Sequence, residues 1–284
     1  MAPMATRSEG PYEGAARIPP AQTTRTPLVL TERDYRVLGP ADFGGPGLYA
    51  VEVIGPFVPL QAVGPLVTVH DSTIEPHLGI GHHPHRYHER LFYMLAGTLD
   101  HDDTLNGIRG RMGPGEVGRL TEGHRGMVHS EWNHGDEPAR AFILVYPADP
   151  LPEQASFTLL RDTDAPRDEE GAGVQTKELV GPRSPLRPHG DIRRYTDSRL
   201  EPGARLPLAL DEGEGALLSI QEGRLRLEGQ EVGQELRPGM TVIVPPGPGE
   251  ARLAVQAAEP ARVLRVVFGP GYGLVRRTPA GAGR

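Results

Sequence analysis

Four histidines and a carboxylate fall within eight residues, His82-His83-Pro84-His85-Arg86-Tyr87-His88-Glu89. Ten of the chain's eleven histidines lie between His70 and His134, and none follows His189. A second polar stretch, Gly126-Met127-Val128-His129-Ser130-Glu131, lies downstream. Imidazole nitrogens and carboxylate oxygens are ligands for first-row divalent metals. In both stretches such groups recur two residues apart, and residues i and i+2 of a strand face the same way. Strand geometry therefore projects His83 with His85, and His129 with Glu131. Two such strands facing each other inside a small barrel bring three imidazoles and one carboxylate to one point.

The rest of the chain has to supply that barrel. Glycine and proline number 37 and 30 among 284 residues, which favours many short strands joined by turns. With no cysteine, disulfides and thiolate ligands are excluded, and any metal is held by nitrogen and oxygen. A formal charge of -7 gives no general attraction to nucleic acid or anionic membrane. No run of 18 apolar residues occurs, and Met1 to Gly14 lacks an apolar leader segment, so a soluble cytoplasmic protein is expected.

Strand signals begin at Thr26-Pro27-Leu28-Val29-Leu30 and recur to Tyr146. Residues 1–25 read as a mobile tail and 26–150 as a first domain. Residues 151–188 read as a linker with one edge strand at Ser156-Phe157-Thr158-Leu159-Leu160, 189–275 as a second domain, and 276–284 as a tail. The two halves repeat each other. Leu95-Ala96-Gly97-Thr98-Leu99 matches Gln221-Glu222-Gly223-Arg224-Leu225 at an offset of 126. Arg111 to Gly115 matches Glu235 to Gly239 at 124, and Pro138 to Tyr146 matches Pro260 to Phe268 at 122. Positions equivalent to His83 and His85 fall near Ala209 and Asp211, and those of His129 and Glu131 near Leu253. The second copy keeps the scaffold without the donors, so one metal per chain is expected.

The order His83-Pro84-His85-Arg86, Glu89, Gly97, His101-x-Asp103, Gly113-x-Gly115, Gly126-x-x-His129-Ser130-Glu131 resembles the pirin family over about residues 26–147. The resemblance implies an all-β chain of two tandem cupin barrels. It implies one non-haem iron in the N-terminal barrel, held by His83, His85, His129 and Glu131. Some pirins oxygenate the flavonol quercetin, whereas others are described as nuclear transcription cofactors, which implies a small-molecule substrate or a protein partner. Where pirins usually carry Gly-Phe-Glu-Thr after the arginine, this chain has Tyr87-His88-Glu89-Arg90.

Other histidines and carboxylates compete for roles. General cupins follow His-x-His with a glutamate four residues on, so Glu89 rivals Glu131 as ligand if the strand runs unbroken. The resemblance favours Glu131 and leaves Glu89 as a supporting acceptor or a base. His82 and His88 have the opposite parity and belong outside the barrel. His101 reads as part of an Asp-rich turn ending in Asn106-Gly107, His124 as lining the mouth, and Trp132 as packing at the rim. His70, His77 and His134 read as structural or solvated. The donor set suits Fe(II), with Ni, Zn, Mn or Cu as substitutes, and no His-Glu-x-x-His helix points to hydrolytic zinc. The activity expected is dioxygenation of a flavonol-like or other keto-hydroxy substrate, with Glu131 or Glu89 taking the hydroxyl proton. The alternative is a non-enzymatic, metal-dependent binding or regulatory protein.

Overall fold

A computed structural model describes residues 25–229 and 233–277. The expected tails lie outside the described residues, apart from Arg25, Arg276 and Arg277. Among the described residues, the regular secondary structure is all strand apart from two short helical segments, Pro40–Phe43 and Asp162–Asp164, and no helix is long and apolar enough to cross a membrane.

Two seven-stranded antiparallel sheets carry the architecture. One runs, edge to edge, Ser156–Leu160, Val117–Thr121, His88–Ala96, Ala139–Pro147, Thr68–Ile74, Leu48–Ile54, Arg36–Leu38. The other runs Leu28–Leu30, Thr241–Val244, Gly215–Glu222, Ala261–Phe268, Ile192–Leu200, Val174–Val180, Arg167–Gly171. Each is closed into a barrel by a four-stranded sheet. The first has the order Gly79–His85, Met127–Trp132, Leu99–Asp103, Ile108–Met112, and the second Arg205–Leu210, Ala251–Ala257, Leu225–Glu228, Gln234–Leu236.

Period-two alternation decides which face of each large sheet lies inside its own barrel. In His88–Ala96, Phe92 and Met94 turn into the first barrel, while Leu91 and Tyr93 turn outward against the second sheet. There they meet Phe142 and Tyr146, and across the interface Tyr195, Leu217, Leu264 and Phe268, all fully buried. The two barrels thus share one core between the backs of their sheets. Within it Tyr93 Oη donates to Asp197 at 2.5 Å, and Arg262 holds the same carboxylate at 2.8 Å.

Two sequence expectations need correction. Residues 151–188 are not a linker with one strand. Ser156–Leu160 does lie at an edge, but Arg167–Gly171 and Val174–Val180 also form there, and the latter lies within the second large sheet. Glu178-Leu179-Val180-Gly181-Pro182 repeats Glu52-Val53-Ile54-Gly55-Pro56 at an offset of 126. Glu52 Oε1 accepts the Phe57 N–H and Glu178 Oε1 the Arg183 N–H, both at 2.7 Å. Gly55 and Gly181 both have φ of +156°, and a Cβ at either would meet that carboxylate at under 3 Å. Secondly, the ends of the chain do not stay with their own halves. Leu28–Leu30 pairs with Thr241–Val244, and Leu274–Arg276 pairs with Leu60–Val63.

Candidate metal centre

Gly79–His85 and Met127–Trp132 lie antiparallel with His83 opposite His129. A bulge between His129 and Glu131 shifts that register. On its other side Met127–Trp132 pairs with Leu99–Asp103, which sets His101 opposite Glu131. The ring centroids of His83, His85 and His129 stand 4.7, 4.6 and 4.9 Å apart. Glu131 Oε1 lies 2.7 Å from His129 Nδ1 and 3.8 Å from His101 Nδ1, and Oε2 lies 4.0 Å from His83 Nε2. The structure brings His83, His85, His129 and Glu131 together.

Two overlapping donor groups result, His83–His85–His129 and His101–His129–Glu131, each with donor atoms within 4.8 Å of one another. Nε2 of His129 and Nε2 of His101 are buried without a hydrogen-bond partner. A buried polar atom left unpaired needs an explanation, and a bound ion is one. His83 Nδ1 donates to the Gly81 carbonyl at 2.8 Å, which leaves its Nε2 lone pair free. The donor set, all nitrogen and oxygen, fits a divalent first-row metal.

Burial lowers the pKa values of His83 and His85, and for His85 the nearby Arg90 charge pushes the same way. Both rings are held neutral, as ligation requires. Burial would raise the Glu131 pKa, but His129, His101 and His83 outweigh it and hold the carboxyl well below its usual range.

Glu89 is not at this site. The strand breaks between His85 and His88, where Tyr87 adopts φ of +78°. Same-face parity from His85 therefore does not reach Glu89. Its side chain turns outward to the shared core, where Thr121 Oγ1 (2.6 Å), His189 Nδ1 (2.7 Å), His189 N–H (2.8 Å) and Tyr146 Oη (2.9 Å) bind it. The same break turns Arg90 inward, with Nη2 2.8 Å from His85 Nδ1. His88, expected outside, lines the cavity, whereas His124 is exposed and away from it. His82 keeps its outer position beside Asp102. Trp132 packs over Gly79, and a Cβ there would lie 2.8 Å from it.

His101 is the site residue that sequence reasoning missed. It lies in a strand, not a turn, fully buried and stacked on Phe157 at 5.7 Å. The alternation of Leu99, His101 and Asp103, all buried, was its available signal. The turn proper occupies only Thr104 to Gly107.

The cluster lines a cavity of about 1090 Å³ inside the first barrel. Phe92, Met94, Ile80 and Met127 form apolar walls, and Arg86, Arg90 and Arg125 add cationic groups. Among the described residues, the second barrel has no counterpart to this donor cluster. Where the first pairs His83 with His129 and His101 with Glu131, the second pairs Leu208 with Leu253 and Leu227 with Val255, all buried.

The profile of the pirin family matches residues 43–144. A Pseudomonas aeruginosa protein named, provisionally, a quercetin 2,3-dioxygenase is 34% identical over 168 residues, which cover 54% of this chain and 56% of that protein. The match thus spans little more than half of that relative. A Mycobacterium tuberculosis protein of the same provisional name is 31% identical over 204 residues, covering 71% of this chain and 78% of that protein. Among solved structures, the Escherichia coli pirin YhhW in complex with nickel(II) superposes with a TM-score of 0.68 at 17% identity, covering 86% of this chain and all of that one. Two tandem cupin barrels, the motif order and these relatives agree: this chain belongs to the pirin family.

Proposed function

We propose that this chain is a metal-dependent dioxygenase acting on a flavonol-like or other keto-hydroxy substrate, with the metal, Fe(II), held by His83, His85, His129 and Glu131. The observation that carries this reading is the convergence of three imidazoles and a carboxylate on a roomy, largely apolar cavity. The relatives named for quercetin dioxygenation and the nickel in a pirin of the same fold support a divalent metal and a small-molecule substrate.

Bound there, Fe(II) would supply the Lewis acidity and redox chemistry that O2 activation needs. The protein does the rest. Phe92, Met94 and Met127 exclude water and seat an apolar ring. Glu131 stays ionised, which suits a ligand and makes it a weak proton acceptor. Glu89, facing the shared core, takes no part.

The test is anaerobic loading with Fe(II), then oxygen uptake and product analysis with quercetin and a panel of chelating keto-hydroxy compounds. His83→Ala, His129→Ala and Glu131→Gln should fold yet lose stoichiometric metal by elemental analysis. Full occupancy in either histidine variant refutes the ligand assignment. Stoichiometric metal without oxygen uptake across the panel refutes the dioxygenase reading and leaves a metal-dependent binding protein.

A further inference from the structure

The four proposed ligands differ in what stands behind them. A metal-ligating imidazole ordinarily donates its second ring N–H to a carboxylate, a carbonyl or water, which fixes tautomer and ring orientation. His83 has such a partner in the Gly81 carbonyl, 2.8 Å from Nδ1. His129 Nδ1 has one in His101 Nδ1 at 3.2 Å, with Glu131 Oε1 2.7 Å away as an ion-pair contact.

His85 does not. Its Nδ1 lies 2.8 Å from Nη2 of Arg90, and a guanidinium has five N–H donors and no acceptor. Nδ1 therefore accepts, and the proton of the neutral ring sits on Nε2, the atom a ligand must present bare. In the other tautomer Nδ1–H faces an N–H of Arg90, and neither donor is satisfied. Nor can Arg90 readily step aside. Its Nε donates to Glu122 Oε1 at 2.8 Å, and Glu122 is fully buried, with its other oxygen taken by the His88 N–H at 2.8 Å. Withdrawing Arg90 leaves a buried carboxylate without its cation.

We infer that Arg90 is a positioning residue that weakens metal binding through His85, so that His83, His129 and Glu131 anchor the ion and His85 is its exchangeable ligand. This rests on the metal-site reading above.

The test is titration of metal-free protein with Ni(II) in competition with a chromophoric chelator, with circular dichroism to establish folding. Arg90→Gln places an amide oxygen where His85 Nδ1–H can donate. The double variant Arg90→Gln/Glu122→Gln also removes the buried charge that Arg90 neutralised. Both should bind Ni(II) about tenfold tighter, the scale on which groups behind a ligand act. In the wild-type background His85→Ala should lose less affinity than His83→Ala, and in the Arg90→Gln background the two losses should become equal. Unchanged or weaker binding in both Arg90 variants overturns the inference, as does a His85→Ala loss equal to that of His83→Ala in wild type. If neither wild type nor any Arg90 variant binds Ni(II), the metal-site reading fails first and carries this inference with it.

Discussion

Replacing Glu89 by glutamine should destabilise the protein and leave its metal untouched. Glu89 is fully buried and accepts four hydrogen bonds from three residues, with Arg119 Nε a further 3.6 Å contact. The amide keeps one acceptor oxygen and presents an NH2 where the second oxygen was. The Thr121 and Tyr146 hydroxyls can turn to accept, so the loss falls mainly on the charge that faces His189 and Arg119. Arg119 Nε has no hydrogen-bond partner, so Glu89 meets it as a charge only. Breaking a buried ion pair by removing one partner costs about 3–5 kcal/mol, and the hydroxyls' freedom places this case near the low end. At roughly 2–4 °C per kcal/mol for a chain of this size, the melting temperature should fall by about 6–12 °C. Differential scanning calorimetry with elemental analysis measures both quantities. An unchanged melting temperature together with lost metal would refute the reasoning and return Glu89 to the metal centre.

Tyr87 occupies the left-handed region at φ of +78° with its side chain largely exposed, so Tyr87→Gly should raise stability by about 1 kcal/mol, read as a higher denaturant midpoint. Burial holds His83, His85 and His88 below their ordinary pKa of 6.5. The unfolded chain therefore takes up protons below pH 6.5 that the folded chain refuses. The stability these rings contribute is complete above pH 6.5 and is lost as pH falls from there toward their lower folded values. Denaturant midpoints of metal-free protein between pH 7.5 and 5 should show this decline, and it should flatten in His85→Ala. Fully loaded protein should hold one metal per chain, since Leu208, Leu253, Leu227 and Val255 occupy the second barrel's equivalent positions; a ratio near two refutes this. A chain ending at residue 150 should be insoluble, because it exposes the shared core around Tyr93, Phe142 and Tyr146; a soluble, cooperatively melting fragment contradicts it.

The donor pairs were legible in the sequence because strand parity is a local rule. His83 with His85, and His129 with Glu131, each lie within one extended run, and nothing beyond the backbone pleat is needed to place them on one face. The tandem repeat was legible for a similar reason, since turn and strand residues recur in order at nearly fixed offsets. That the second copy lacks donors followed from composition, with no histidine after His189.

Tertiary structure decided the rest. The parity that linked Glu89 to His85 ends at the turn where Tyr87 reverses φ, and this puts Glu89 in the shared core and Arg90 beside the site. His101 arrives by cross-strand pairing with Glu131, 30 residues away, a register that no local pattern encodes. The same holds for the ends of the chain: Leu28–Leu30 and Leu274–Arg276 pair with strands of the opposite half. Residues 174–180 read as linker because their neighbours are rich in charge and proline, yet they complete the second sheet, where burial against the shared core outweighs that local composition. Spacing fixes which side chains can share a face; which faces meet depends on how the sheets pair and pack.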